Sequence, residues 1–175
     1  FSDTHGLHEQ MKLPDGDILI FSGDCSSRGA QPEVERFFKW FTRQPHIYKV
    51  FVPGNHDRCF DKDLLAPYTN VFPFWVQNLI AEYNKYDVID IFKTHGSFYI
   101  QEFDLRFFAS AFTPKVHPGS HKYWGFSKER EEMGDVWKAI PENTEVLITH
   151  GPPFGKLDFS YNGDNHVGCE RLRYK

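Results

Sequence analysis

Residues 49–57 read Lys49-Val50-Phe51-Val52-Pro53-Gly54-Asn55-His56-Asp57, an apolar run that meets a glycine and then three polar side chains. The β-branched and aromatic run predicts a buried strand, and the glycine predicts a tight turn at its carboxyl end. The turn presents an amide oxygen, which suits a divalent metal, and an imidazole, which binds metal or moves a proton near neutral pH. Gly, Asn and Asp are also ordinary turn residues, so the interpretation depends on whether the pattern recurs.

The pattern of an apolar strand followed by a metal-capable side chain recurs elsewhere in the chain. Two further apolar runs end at Asp24 and at His150. Asp3 and His5 lie two residues apart near the start, so extended geometry would point both to one side. The alternatives are a turn with a stray histidine at His5 and a simple capping role for Asp24. Because ligands bind beyond the carboxyl ends of strands in open α/β sheets, we expect these groups to converge.

Helical spacing and strand alternation predict the architecture around these strand ends. The segment Pro32–Phe41 places one valine and three phenylalanines on one helical face, which predicts a helix packed on a sheet and a βαβ unit. Residues 98–100 and 105–112 predict an antiparallel pair, and Ser127 is expected to cap a helix that contains Met133 and Trp137. The predicted fold class is α/β, with mixed β-sheets sandwiched by helices.

The composition of the chain limits the classes of function that it can have. The 175 residues fit one domain, and the net charge of -4 with 18 Phe indicates a dense core and no basic platform for polymeric nucleic acid. Any nucleotide substrate is therefore expected to be small, while protein partners are not indicated. Three Cys without a C-x-x-C pair predict an intracellular, cytoplasmic protein, and no apolar run is long enough for a membrane segment. Because Phe1 is not a natural start, a targeting signal cannot be judged.

The ordered motifs resemble those of the calcineurin-like metallophosphoesterase family. Its pattern of D-x-H, G-D, G-N-H-D and a later H is matched by Asp3-Thr4-His5, Gly23-Asp24, Gly54-Asn55-His56-Asp57 and His150. Within the family, residues 2–6, 17–19, 149–153 and 167–169 are similar to the small single-domain phosphodiesterase-like proteins. The resemblance implies an αββα metallophosphoesterase-like fold.

The family's metal ligands carry over to five residues of this chain. The resemblance implies that Asp3 and His5 bind one metal, that Asn55 and His150 bind a second, and that Asp24 bridges the two. This mixed oxygen and nitrogen set suits two divalent ions of the Mn, Fe, Zn or Ni type.

The family's catalytic roles carry over to His56 and Asp57. His56 would protonate the leaving oxygen or steady the phosphate, and Asp57 would orient its ring. The implied function is hydrolysis of a small phosphodiester, with a cyclic nucleotide as one candidate, by a hydroxide that two metals activate. The alternative is a catalytically weak relative that serves as a scaffold or as a subunit of a larger assembly.

One departure from the family pattern concerns the residues after His150. The family closes its site with a G-H-x-H segment, and His166 lacks both that spacing and a partner histidine; His117 and His121 are interpreted as surface loop residues. We therefore expect residues 1–175 to be a single domain, incomplete at both ends, that lacks half of its first strand and its C-terminal His-containing segment. Such a chain is expected to bind metal weakly and to be nearly inactive.

Overall fold

The first sheet of this computed structural model consists of three parallel strands. The structure describes residues 1–66, 72–84, 91–116, 124–160 and 165–175. Strand β1 (Ile18–Ser22) pairs with β2 (Tyr48–Val52), which pairs with β3 (Ile91–Phe92). Helix α1 (Gln31–Phe41) connects β1 to β2, so the predicted βαβ unit is confirmed.

Helix α1 packs through the apolar face that its spacing predicts. Its core-facing residues are all buried: Val34, Phe37, Phe38 and Phe41. The ring of Phe37 lies 4.5 Å from that of Phe21 in β1 and 5.8 Å from that of Phe51 in β2. Burial of side chains of this size contributes several kcal/mol each, since Phe→Ala in a core costs about 3–5 kcal/mol. The phenylalanine stripe is therefore core.

The second sheet is mixed. Strand β4 (His95–Ile100) runs antiparallel to β5 (Leu105–Ser110), which runs parallel to β8 (Val146–Thr149). A turn at Gln101–Phe103, followed by Asp104 in the left-handed conformation, joins β4 to β5. The predicted antiparallel pair and second sheet are confirmed.

Neighbouring residues of β5 face two different layers, as strand alternation requires. Phe107 belongs to the main core with Phe21 and Phe51 of the first sheet, whereas Phe108 packs with residues of two helices. Those helices are α4 (Met133–Lys138) and α5 (Glu170–Arg173). The α/β fold with mixed sheets and flanking helices is confirmed. Within the described ranges, no helix is long and apolar enough to cross a membrane.

The remaining elements include one that contradicts the sequence-based expectations. Helices α2 (Lys62–Leu65) and α3 (Phe74–Asn84) follow β2. The helix expected from Ser127 is wrong: Ser127–Lys128 is strand β7 and pairs with β6 (Thr113–Pro114), and α4 begins six residues later. Pairing between β6 and β7 provides the backbone hydrogen bonds that a helix would otherwise provide at these residues. Helix α5 is too short to show helical periodicity in the sequence.

The carboxylate of Asp57 joins the turn after β1 to the turn after β2. It is fully buried and accepts hydrogen bonds from the backbone N–H groups of Asp24, Cys25, Ser26 and Gly54 at 2.9–3.2 Å. The Ser26 hydroxyl donates a further bond at 2.7 Å. Hydrogen bonds to an ionised acceptor are stronger than neutral ones, and a buried carboxylate without them is costly. Asp57 therefore fixes the relative positions of the two turns.

We expect Asp57→Asn to lower the free energy of unfolding by about 3 kcal/mol or more. The new amide NH₂ cannot accept. In one orientation of the amide the Ser26 N–H and hydroxyl lose their acceptor, and in the other the N–H groups of Asp24, Cys25 and Gly54 lose theirs, at about 1–3 kcal/mol per group. Urea denaturation measures the change. The exposed Asp15 serves as the control, since Asp15→Asn should change stability by less than about 0.5 kcal/mol. Equal stability of the Asp57 and Asp15 variants would contradict this role.

His8 is a fully buried histidine between α1 and the N-terminal segment. Its ring lies 5.2 Å from the rings of Phe37 and Trp40. Burial lowers the pKa of His8, the charge of Arg36 lowers it further, and Glu9 opposes the effect in part. The folded protein therefore resists protonation of this ring.

We expect stability to fall as the pH is lowered through about 6.5, where an unfolded histidine takes up a proton. The unfolded state binds more protons in that window, so unfolding becomes easier as the pH falls. His8→Phe should weaken this dependence, because the ring then stays neutral in both states. Urea denaturation of both proteins between about pH 7.5 and about pH 5.5 measures the difference. Parallel pH dependences would show that His8 does not contribute.

Candidate active site

The N-terminal segment runs beside β1 and brings Asp3 and His5 to its carboxyl end. The Asp3 N–H donates to the Gly23 carbonyl at 2.8 Å, and the His5 N–H donates to the Asp24 carbonyl at 3.0 Å. The expectation of extended geometry is wrong here: φ is +57° at Asp3, +42° at His5 and +63° at Asp24. Non-glycine residues in this left-handed region are strained and cluster at functional sites. The strain here directs three metal-capable side chains toward one point.

Two glycines let the three turns approach one another. A Cβ on Gly54 would lie 2.2 Å from Asp24 Oδ1 and 2.7 Å from His150 Cε1. A Cβ on Gly23, which has φ +111°, would lie 2.3 Å from His150 Nδ1. No side chain fits at such distances, so both positions require glycine. The glycines of the Gly-Asp and Gly-Asn-His-Asp motifs are therefore steric requirements of the site.

Three histidines share one arrangement around Asp24. In each, Nδ1 faces a backbone carbonyl: His5 that of Ser26 at 3.2 Å, His56 that of Ser27 at 2.7 Å, and His150 that of Ser22 at 2.8 Å. Their Nε2 atoms lie 3.5–4.0 Å from the Asp24 carboxylate. Metal-binding histidines commonly donate one ring N–H to a carbonyl and direct the other nitrogen to the metal. The shared arrangement is therefore typical of a metal centre.

Asp24 is the buried centre of this cluster, with 3% of its surface exposed. Burial raises the pKa of its carboxyl, and the proximity of His150 opposes the rise. Among the described residues, no Lys or Arg lies within ion-pair distance of Asp24, and the groups that surround its carboxylate are the three imidazoles. A buried carboxylate needs a positive charge nearby, and a bound cation would supply it.

Asn55 contacts the same cluster. Its Oδ1 lies 2.8 Å from Nε2 of His150, which in turn lies 3.5 Å from Oδ1 of Asp24. Because Nδ1 of His150 faces a carbonyl, Nε2 is the ring nitrogen directed toward the two oxygens. An imidazole nitrogen, an amide oxygen and a carboxylate together form a donor set that fits a divalent metal.

The structure brings together all the sequence-predicted ligand candidates, but in a different grouping. Mutually close sets, with ligand atoms within 4.8 Å of one another, are formed by Asp3, Asp24 and His150 and by His5, Asp24 and His56. The family resemblance instead pairs Asp3 with His5 and leaves His56 outside the ligand set. Asp24 is common to both close sets.

Asp57 does not hold the ring of His56 as expected. Its carboxylate accepts from the backbone of the two turns, and the Ser27 carbonyl is the partner of His56 Nδ1. Asp57 therefore acts on His56 only indirectly, through the position of the turn. Of the other histidines considered, His166 bonds to Asp158 at 2.6 Å, and His117 and His121 lie outside the described residues.

A cavity of about 440 Å³ opens beside the cluster and has two kinds of wall. Its polar lining includes Asp3, Asn55, His56 and His150, and its apolar lining, called the apolar wall below, consists of Pro114, Val116, Trp124, Pro152 and Val167. No sequence pattern assigns Trp124 to the site. A tryptophan within a loop rich in Gly and Pro is a weak signal, since nothing local shows what it packs on.

Comparison with known proteins agrees with this geometry. The chain matches the family described as calcineurin-like phosphoesterase over residues 1–174. It is 33% identical over 181 residues to the human metallophosphoesterase domain-containing protein 1, and 35% identical over 174 residues to a probable rhamnogalacturonate lyase C of Emericella nidulans. It is also 26% identical over 173 residues to a probable glycerophosphodiester phosphodiesterase of Arcobacter nitrofigilis.

These similarities cover 95–98% of this chain. The chain spans 53% of the human and Arcobacter proteins and 15% of the Emericella protein, so it corresponds to about half or less of each relative. Members of the family typically use divalent metals and act on small phosphate esters. The match over nearly all residues shows that this chain belongs to the calcineurin-like phosphoesterase family.

Proposed function

We propose that the protein hydrolyses a small phosphodiester with the help of two divalent metal ions. The observation that carries the proposal is the arrangement of three imidazoles, each with Nδ1 on a carbonyl and Nε2 directed toward the buried Asp24. The family membership supports phosphoester hydrolysis in particular. The two close sets that share Asp24 support a count of two ions.

The ligands proposed are those that the family resemblance implies. Asp3 and His5 would hold one ion, Asn55 and His150 the other, and Asp24 both; for Asp3 this differs from the close sets, in which it lies with Asp24 and His150. Oxygen and imidazole ligands without thiolate suit Mn, Fe, Zn or Ni. When bound, two such ions supply positive charge to the phosphoryl oxygens and favour ionisation of the attacking water.

His56 is proposed to donate a proton to the leaving oxygen. Its Nδ1 is engaged by the Ser27 carbonyl, and its side chain, 27% exposed, lines the cavity. Nε2 is therefore the nitrogen available for proton transfer. General acid–base groups of this kind contribute about 10²–10⁴-fold to the rate. Asp57 supports this role by fixing the turn that carries His56.

The cavity supports a diester over a monoester. Among the described residues that line it, none is Lys or Arg. A phosphate monoester carries about -1.5 to -2 charges at neutral pH, whereas a diester carries one and needs less compensation. The apolar wall can receive the second organic group of a diester, such as that of a cyclic or other small nucleotide. The name of the Arcobacter relative, a glycerophosphodiester phosphodiesterase, is in line with this class.

We further propose that residues 1–175 form one domain of an intracellular, cytoplasmic protein. The main core draws on α1 and on both three-stranded sheets, which supports a single folding unit. Cys25, Cys59 and Cys169 are free and buried, which supports a reducing compartment.

His56→Ala should keep the metals and lose turnover by about 10²–10⁴-fold, because the proposed acid is removed and the ligands stay. Asp24→Asn is the matched contrast and should lose both metal and turnover, since it removes the shared ligand. Metal content by inductively coupled plasma mass spectrometry and hydrolysis of bis(p-nitrophenyl) phosphate with added Mn measure both effects.

Loss of metal in His56→Ala would make His56 a ligand, in line with its place beside His5 and Asp24. The assay is run on this chain and on a version extended past Lys175, because further ligands could lie there. Absence of metal-dependent hydrolysis in both would reject the proposed function and favour the scaffold or subunit alternative.

A further inference from the structure

The ring of His56 is held by three different kinds of contact. Its Nδ1 bonds to the Ser27 carbonyl at 2.7 Å, and the His5 ring meets it edge-on, with centroids 4.6 Å apart and planes at 72°. The indole of Trp124 covers one face, with ring centroids 4.0 Å apart and planes at 33°. The hydrogen bond restrains the imidazole at one edge, and contact with a flat ring further restrains the tilt of its plane.

The backbone around Trp124 is tied to the loop that carries His56. The N–H of Gly125 donates to the carbonyl of Asn55 at 2.8 Å, and the N–H of Phe126 donates to the Asp61 carboxylate. Asp61 is buried and also accepts from the first N–H groups of α2. These bonds hold the backbone that carries Trp124 against the loop that carries His56.

The backbone that follows Trp124 is also held in a strained conformation. Phe126 has φ +55°, is 4% exposed, and its carbonyl accepts from the Thr113 N–H at 3.0 Å. A bulky residue in the left-handed region persists only when its surroundings fix it. Burial of Phe126 and pairing with Thr113 maintain a conformation that places Trp124 against the site.

We propose that Trp124 is a positioning residue for His56, and that it holds the plane of the imidazole so that Nε2 meets the leaving oxygen. Trp124 lines the same cavity as His56, where its indole lies against the imidazole. This role rests on the proposed function of His56. Trp124 would then affect turnover through His56 and not through direct contact with the substrate.

The first test is Trp124→Leu, with Trp124→Phe as the conservative variant that keeps a flat ring. Small misplacements of reacting groups can cost ~10²-fold in rate, so Trp124→Leu should lower kcat by about 10–10²-fold with little change in KM. Trp124→Phe should restore most of the lost rate. A rise in KM with kcat unchanged would make Trp124 a substrate contact and would overturn the proposal.

The nature of the leaving group sharpens this test. A proton donor matters little when a nitrophenolate leaves and matters much when an alkoxide leaves. Trp124→Leu should therefore slow glycerophosphoethanolamine hydrolysis more than bis(p-nitrophenyl) phosphate hydrolysis. Equal losses on both diesters would contradict action through a proton donor.

A double-mutant cycle separates action through His56 from direct action. In the His56→Ala background, Trp124→Leu should cause little further loss, because residues that act as a unit are strongly non-additive. The full loss in that background would show that Trp124 acts on the substrate itself.

A measurement without turnover decides the positioning claim even where the proposed function fails. In the metal-free protein, ring-carbon protons of His56, assigned by difference from His56→Ala, should be shifted by the indole and appear as one set. Trp124→Leu should remove the shift and broaden or double the signals, and Trp124→Phe should keep one set. One sharp set in Trp124→Leu would overturn the proposal, whereas no hydrolysis by wild type would reject only the proposed function.

Discussion

The buried carboxylate of Asp57 is the constraint on which the site depends. It accepts backbone hydrogen bonds from the turn after β1 and from the turn after β2, which are far apart in sequence. With four backbone donors on one anion, the two turns cannot shift independently. Gly23 and Gly54 then allow the turns to lie closer than any side chain would permit. The position of Asp24 follows from these two facts, because its own N–H is one of the donors.

The two turns gather acceptor atoms around Asp24. Among the described residues, no Lys or Arg lies within ion-pair distance of its carboxylate. Asp24 is buried, burial raises the pKa of its carboxyl, and three imidazoles direct Nε2 toward it. The two turns thus hold the ligand atoms close together, and a divalent cation would offset the unfavourable burial of the Asp24 carboxylate. The left-handed conformations of Asp3, His5 and Asp24 are the local strain that accompanies this arrangement.

The hydrophobic periodicity of the sequence predicted those helices and strands whose formation depends on the order of nearby residues. The strands ending at Asp24 and His150, the phenylalanine stripe of α1 and the antiparallel pair β4–β5 follow from hydrophobic periodicity. Periodicity failed where pairing or brevity decides structure, at Ser127 in β7 and in the four-residue helix α5.

In the candidate site, too, features set by nearby residues were predictable and features set by distant contacts were not. Which side chains gather around Asp24 was predictable from their order at strand ends. The partner of His56 was not, because a backbone carbonyl, that of Ser27, has no signature in the sequence. The place of Trp124 was not predictable either. It depends on hydrogen bonds from the next two residues, Gly125 and Phe126, to Asn55 and Asp61, which are distant in sequence.

Anomalous diffraction from crystals soaked in Mn tests the central claim most directly, because it locates bound ions without relying on turnover. The account predicts two manganese peaks, both ligated by Asp24, one also by His5 and the other also by His150. A single peak remote from Asp24, or no peak in crystals that hold Mn elsewhere, would contradict a metal centre built on the two turns that Asp57 joins.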